Sequence, residues 1–234
     1  MSTDAGRLIV ALDVPDPFQA GDLVGKLGPL GVSFKIGLEL FMGSSPSVVT
    51  ALSSAHNLFL DLKFHDIPNT VAAAVRAAAS MGVWMLNVHA EGGREMMTAA
   101  RKAVDESEKK PLLIAVTVLT SMDDQLIAET GSRVRVTEKV KILARLAADC
   151  GFDGVVCSPL EIETVKKEVS PRFLTVTPGI RPQGEARGDQ ARVAYPADVI
   201  LAGGDYLVVG RPISAAANPV RAARKILFEM GVVT

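Results

Sequence analysis

The chain has 234 residues, 48% of them hydrophobic, which suits one folded domain and excludes a disordered polymer. A formal net charge of −1 and an aromatic content of 5% supply neither the basic footprint nor the stacking surface of a nucleic-acid binder. Two cysteines, Cys150 and Cys157, are too few for a disulfide framework and fit no zinc pattern; with no apolar run of membrane-spanning length and no signal core in residues 1–6, the expectation is a cytoplasmic protein that binds no membrane.

Along the chain, short runs rich in Val, Ile, Leu and Phe alternate with helical patterns. A strand over residues 7–13 precedes a helix over 18–27, a strand over 33–38 a helix over 46–54, and a strand over 58–63 a helix over 67–81. The order continues with strand 85–90 and helix 93–107, strand 112–118 and helix 137–150, and strand 154–158 and helix 159–168. Strand 174–179 with a short helix over 197–202, and strand 206–210 with a helix over 219–230, complete the series. Near-continuous apolar strands of this kind are buried on both faces, as in parallel sheets. Eight such units predict a single-domain α/β fold, the (β/α)8 TIM barrel. A doubly wound open sheet is the competing architecture, and the absence of GxGxxG after the first strand weighs against it. Residues 120–136 and 180–195 are then long loops on the face where such barrels carry their chemistry.

The third strand holds charges that a core strand does not need. Asp61 and Lys63 stand two apart, so strand alternation places them on one face, with Leu60, Leu62 and Phe64 on the other. Lys35 interrupts the neighbouring strand. Buried charges cost several kcal/mol unless paired, so a Lys–Asp–Lys cluster at the barrel mouth reads as functional; a structural ion pair plugging the barrel is the alternative. Asp66 falls where a helix N-cap belongs, and on spacing alone that is its role. Gly210 and Arg211, at the end of the eighth strand, suit a phosphate site: glycine for close backbone approach, arginine for a forked contact. Arg211 could otherwise be an ordinary surface arginine, Asp13 a turn residue before Pro15, and Thr120 and Ser121 turn hydroxyls. His65 and His89 invite a metal with Asp61 and Asp66, but alternation turns His65 away and the lysines would repel a divalent cation, so no metal is expected. His56 reads as surface, and Cys157 and Trp84 as core.

The segment from Asp61 through Lys63 to Asp66-Ile67-Pro68-Asn69-Thr70, with Lys35-Ile36-Gly37 upstream, resembles the orotidine 5′-monophosphate decarboxylase family. The likeness extends to Ala11-Leu12-Asp13, Asn87-Val88-His89-Ala90 and Val118-Leu119-Thr120-Ser121. It continues through Thr177-Pro178-Gly179-Ile180-Arg181-Pro182, Gly188-Asp189-Gln190 and Val209-Gly210-Arg211-Pro212, in family order. The resemblance implies conversion of orotidine 5′-monophosphate to UMP without metal or organic cofactor. It assigns Lys63 as proton donor, Asp61 as its partner beside the substrate carboxylate, and Lys35 and Asp13 as ribose contacts. Thr120 and Ser121 would read the base; Pro178, Arg181, Gln190, Gly210 and Arg211 would line the substrate's remaining length. Asp66, Ile67 and Thr70 match residues contributed to the neighbouring subunit's site, which implies a homodimer. Two alternatives stand beside this one: a magnesium-dependent sugar-phosphate decarboxylase or synthase that shares DxKxxD, and a non-catalytic nucleotide-phosphate-binding barrel.

Overall fold

The computed structural model describes residues 4–182 and 194–232. A short 3-10 turn, Asp4–Arg7, leads into β1 (Leu8–Ala11), α1 (Pro17–Leu27), β2 (Ser33–Ile36), α2 (Leu38–Met42) and α3 (Pro46–Ala55). Then follow β3 (Leu58–Phe64), α4 (Pro68–Ser80), β4 (Met85–His89), α5 (Gly93–Asp105), β5 (Leu112–Val116), α6 (Asp124–Glu129) and α7 (Val136–Asp149). The chain continues through β6 (Gly154–Val156), α8 (Ile162–Glu168), β7 (Leu174–Thr177), α9 (Pro196–Leu201), β8 (Tyr206–Val209), α10 (Arg211–Ser214) and α11 (Pro219–Glu229). The strands pair in parallel, each with its sequence neighbour, and β8 returns to β1 to close the barrel. This is the expected (β/α)8 architecture.

Local chemistry sets where the helices begin. Proline stands in the first turn of α1, α3, α4, α9 and α11, where its missing N–H costs nothing and its fixed φ suits the helix. Asp16 caps α1 by accepting from Phe18 N–H, and Asn218 caps α11 by accepting from Arg221 N–H. On α4, Val71, Val75, Ala78 and Ala79 share the buried face, as their spacing requires. The main core lies between this helical layer and the outer face of the barrel. A second cluster, including Ile9, Phe59, Met85, Ile114, Val176 and Val208, fills the barrel interior. Trp84 and Tyr206, edge to face with centroids 5.2 Å apart, pack below it. The interior is thus solid at one end and open only at the C-terminal ends of the strands.

Several expectations need correction. The strands stop one or two residues short of the expected ends, except β3, which runs one residue further to Phe64. The 120–136 loop contains α6, and α2 and α10 add short turns directly after β2 and β8. His56, read as surface, is half-buried, its ring packed edge-on against Phe34 with centroids 5.2 Å apart. Asp66 is not the N-cap of α4. Ile67 occupies that position without a side-chain cap, and Asp66 Oδ1 accepts from Ile67 N–H at 2.6 Å. Cys157 is fully buried, as expected, and Trp84 is half-buried.

Candidate active site

Three adjacent strands bring the charges together. Asp13 follows β1, Lys35 lies within β2, and Asp61 and Lys63 lie within β3. Lys35 Nζ is 3.0 Å from Asp13 Oδ1 and 3.3 Å from Asp61 Oδ2, while Lys63 Nζ donates to Asp61 Oδ1 at 2.7 Å. Lys35 and Asp61 are 7% and 9% exposed, so this is a desolvated chain of alternating charge. Burial favours neutral Lys35, but Asp61 and then Asp13 outweigh it and hold its pKa above the ordinary lysine value. Burial likewise favours a neutral Asp61, and Lys35 and Lys63 reverse that, holding its carboxyl below the usual carboxylate range. Both groups are therefore charged at neutral pH. Gly37 accommodates this arrangement, since a Cβ there would lie 3.0 Å from Lys35 Nζ and 3.4 Å from Asp13 Oδ1.

Asp61 and Lys63 meet, but simple strand alternation is not the reason. The β3–β4 ladder pairs Leu60 with Leu86 and next Phe64 with Val88, and Lys63 has φ 51°. A non-glycine residue in this left-handed region costs of order 1–3 kcal/mol and persists only where its surroundings enforce it. The bulge turns Lys63 toward the open end, and its side chain remains 31% exposed. His65 is exposed, with its ring 5.4 Å from that of His89. Burial, with His65 beside it, pushes His89 below the ordinary histidine value, so it is neutral at pH 7. Among the described residues, no group of three or more His, Cys, Asp or Glu could hold a metal ion.

The four charged residues line a cavity of about 490 Å³ at the barrel mouth. Its apolar floor includes Phe59, Val156, Val176 and Val208 from the interior cluster. Thr120 enters from the segment after β5; Pro178, Gly179 and Arg181 follow β7, and Gly210 and Arg211 follow β8. Arg181 is 8% exposed and donates to Ile180 O at 3.0 Å. Two arginines after β7 and β8, in the same cavity as the Lys–Asp–Lys chain, fit a ligand with one anionic end and one reacting end. Ser121 is exposed and, among the described residues, is not part of the cavity lining; neither are Asp66, Ile67 and Thr70, all exposed at the start of α4. Gln190 lies outside the described residues, as does the Gly188-Asp189-Gln190 motif. Sequence reasoning did not single out Glu39 and gave no role to Leu119 or the buried Asn87, although a polar residue inside the apolar run of β4 is a readable signal.

The chain matches the family model described as orotidine 5'-phosphate decarboxylase / HUMPS over residues 6–226. It is 50% identical to an orotidine 5'-phosphate decarboxylase of Dichelobacter nodosus, with 94% of this chain and 96% of that protein covered. A protein of the same description from Moorella thermoacetica is 49% identical, with 97% of this chain and 93% of that one covered. Among solved structures, orotidine 5'-phosphate decarboxylase from Lactobacillus acidophilus superposes with a TM-score of 0.85 at 38% identity, covering 95% of this chain and 98% of that one.

Proposed function

The chain belongs to the orotidine 5'-phosphate decarboxylase / HUMPS family, and on that premise we propose that it converts orotidine 5′-monophosphate to UMP and CO2. The observation that carries this reading is the buried Lys35–Asp61–Lys63 chain at the mouth of the apolar cavity. Decarboxylation at pyrimidine C6 breaks the bond to the carboxylate and leaves the electron pair in an orbital that no adjacent carbonyl can delocalise. Stabilisation must then come from charges already in place. The Lys63 ammonium, held 2.7 Å from Asp61 Oδ1, attracts the developing carbanion and transfers a proton to C6; CO2 leaves, and solvent reprotonates the amine. Asp61 holds that ammonium in place, and as an anion it raises the energy of the bound carboxylate relative to the transition state.

Lys35 supports this chemistry over that of a magnesium-dependent relative, because its ammonium lies where a divalent cation bound to Asp61 would be repelled. A binder that turned nothing over would gain nothing from desolvating Lys35 and Asp61. Asp66, Ile67 and Thr70 we assign to the partner's site in a homodimer; their exposure on this chain supports that role. No helix of the described residues is long and apolar enough to cross a membrane, and both cysteines are free and buried; we place the enzyme in the cytoplasm. Following orotidine 5′-monophosphate consumption by ultraviolet absorbance tests the whole reading. Turnover that is unchanged by EDTA is expected; turnover abolished by EDTA and restored by magnesium would favour the metal-dependent alternative.

Arg211 is the phosphate contact in this reading, and Arg211→Ala tests it. Losing a charge-assisted hydrogen bond of roughly 1.5–3 kcal/mol should lower kcat/KM for the nucleotide by about one to two orders of magnitude. The unphosphorylated nucleoside should show almost no loss, and added guanidinium should restore part of the nucleotide activity. Equal losses on both substrates would make Arg211 a structural residue.

A further inference from the structure

Asn87 lies in the middle of β4 and is fully buried, flanked by Leu86 and Val88. An amide in such a place must be hydrogen-bonded at both ends or it destabilises the fold. Its Oδ1 accepts the backbone N–H of Lys63 at 2.8 Å, and its Nδ2 donates to Asp61 Oδ1 at 2.7 Å. The partners fix the orientation of the amide, since turned over it would set its NH2 against an N–H and its oxygen against a carboxylate.

These partners are the two ends of the β3 bulge. With Leu60 paired to Leu86 and Phe64 to Val88, the segment Asp61, Leu62, Lys63 stands opposite Asn87 alone. The side chain of Asn87 supplies the acceptor for Lys63 N–H at the point where the regular ladder is interrupted, and Lys63 carries its positive φ there. Asp61 Oδ1 receives both Asn87 Nδ2 and Lys63 Nζ, leaving Oδ2 to face Lys35. A closed circuit results, from the Lys63 backbone through Asn87 and Asp61 to the Lys63 side chain.

We propose that Asn87 is a positioning residue, which holds Lys63 in its left-handed backbone conformation and rotates Asp61 so that one oxygen meets Lys63 and the other Lys35. Its effect on turnover rests on the reading of Lys63 as proton donor; its effect on the geometry does not. Asn87 is not part of the cavity lining among the described residues, so it acts through Lys63 and Asp61 and not on the substrate.

Two variants test the assignment. Asn87→Ala removes both hydrogen bonds. It should lower kcat about a hundredfold, with KM within about threefold of wild type, the split expected when groups acting on the transition state are misplaced. Asn87→Asp keeps the acceptor but donates to Asp61 only when protonated. An introduced carboxyl would face Asp61 and Lys63 from β3, Lys35 from β2 behind Asp61, and Ile114 from β5, with His89 further along β4. Burial and direct contact with Asp61 favour its neutral form, so kcat of this variant should rise at least about tenfold between pH 8 and pH 6. A residue that merely filled space would produce no such rise. Should Asn87→Ala fail to fold, the pH profile of Asn87→Asp decides the question. Crystal structures of the variants read the geometry directly: Lys63 should leave φ near 51°, or its Nζ should leave Asp61, in Asn87→Ala. Retention of both features, or a wild-type pH profile in Asn87→Asp, would overturn the proposal. If Lys63→Ala proved active, the donor assignment would fail, and the crystal geometry alone would still decide the role of Asn87.

Discussion

Lys63→Ala is expected to lose at least about four orders of magnitude in turnover while remaining folded. Two effects vanish together: proton delivery to C6, ordinarily worth 10²–10⁴-fold, and a preorganised charge beside the developing carbanion, worth about 10²–10³. The fold tolerates the change because Asp61 keeps Lys35 at 3.3 Å and Asn87 at 2.7 Å, so the carboxylate is not left unpaired. The truncated side chain is already 31% exposed, and its removal opens no closed cavity. The melting temperature should therefore fall by less than about 10 °C. Initial rates on orotidine 5′-monophosphate, beside a melting curve, check both halves. Turnover near the wild-type rate in a folded variant would remove Lys63 from the chemistry.

Mixing two inactive variants should restore activity if the site is shared between subunits. Asp66 is exposed, accepts the adjacent Ile67 N–H, and among the described residues lies outside this chain's own cavity lining. The neighbouring Ile67 is 67% exposed, and Leu38 and Met42, at the same end of the barrel after the adjacent β2, are 56% and 78% exposed. An apolar rim of this kind suits an interface that carries Asp66 and Thr70 into a partner's site. Asp66→Asn and Lys63→Ala are each expected to be inactive alone. In a hybrid dimer one site collects both lesions and the other collects neither. Random exchange makes half the dimers hybrids with one intact site of two, so activity should recover to about a quarter of wild type. Hybrids demonstrated by differential tagging that stay inactive would confine Asp66 to its own subunit.

The barrel was legible because its signal is repeated. Most strands are near-continuous Val, Ile, Leu or Phe runs and helical patterns lie between them, so one ambiguous element could not change the count. Strand ends were the weak point. Val118, Ser158, Gly179 and Gly210 continue runs that look extended, yet the strands end at Val116, Val156, Thr177 and Val209. The short helices α2, α6 and α10 are only four to six residues long, too short to show an amphipathic period.

The sequence by itself determined the inventory of chemistry: Lys35, Asp61 and Lys63 within apolar strands, and Gly210 and Arg211 where a strand ends. Charges and glycines at such positions are costly to a core, and that cost makes them readable in one dimension. Tertiary structure alone decided how they meet. Nothing in a lysine announces φ 51°; that conformation exists because β3 bulges against β4 and a buried asparagine bonds across the gap. It likewise decided that Lys35 bridges Asp13 and Asp61, and that Arg181 and Arg211 lie in the same cavity as that chain. Burial, register and strand closure set distances between residues far apart in the chain, and those distances appear only when every strand has found its neighbour.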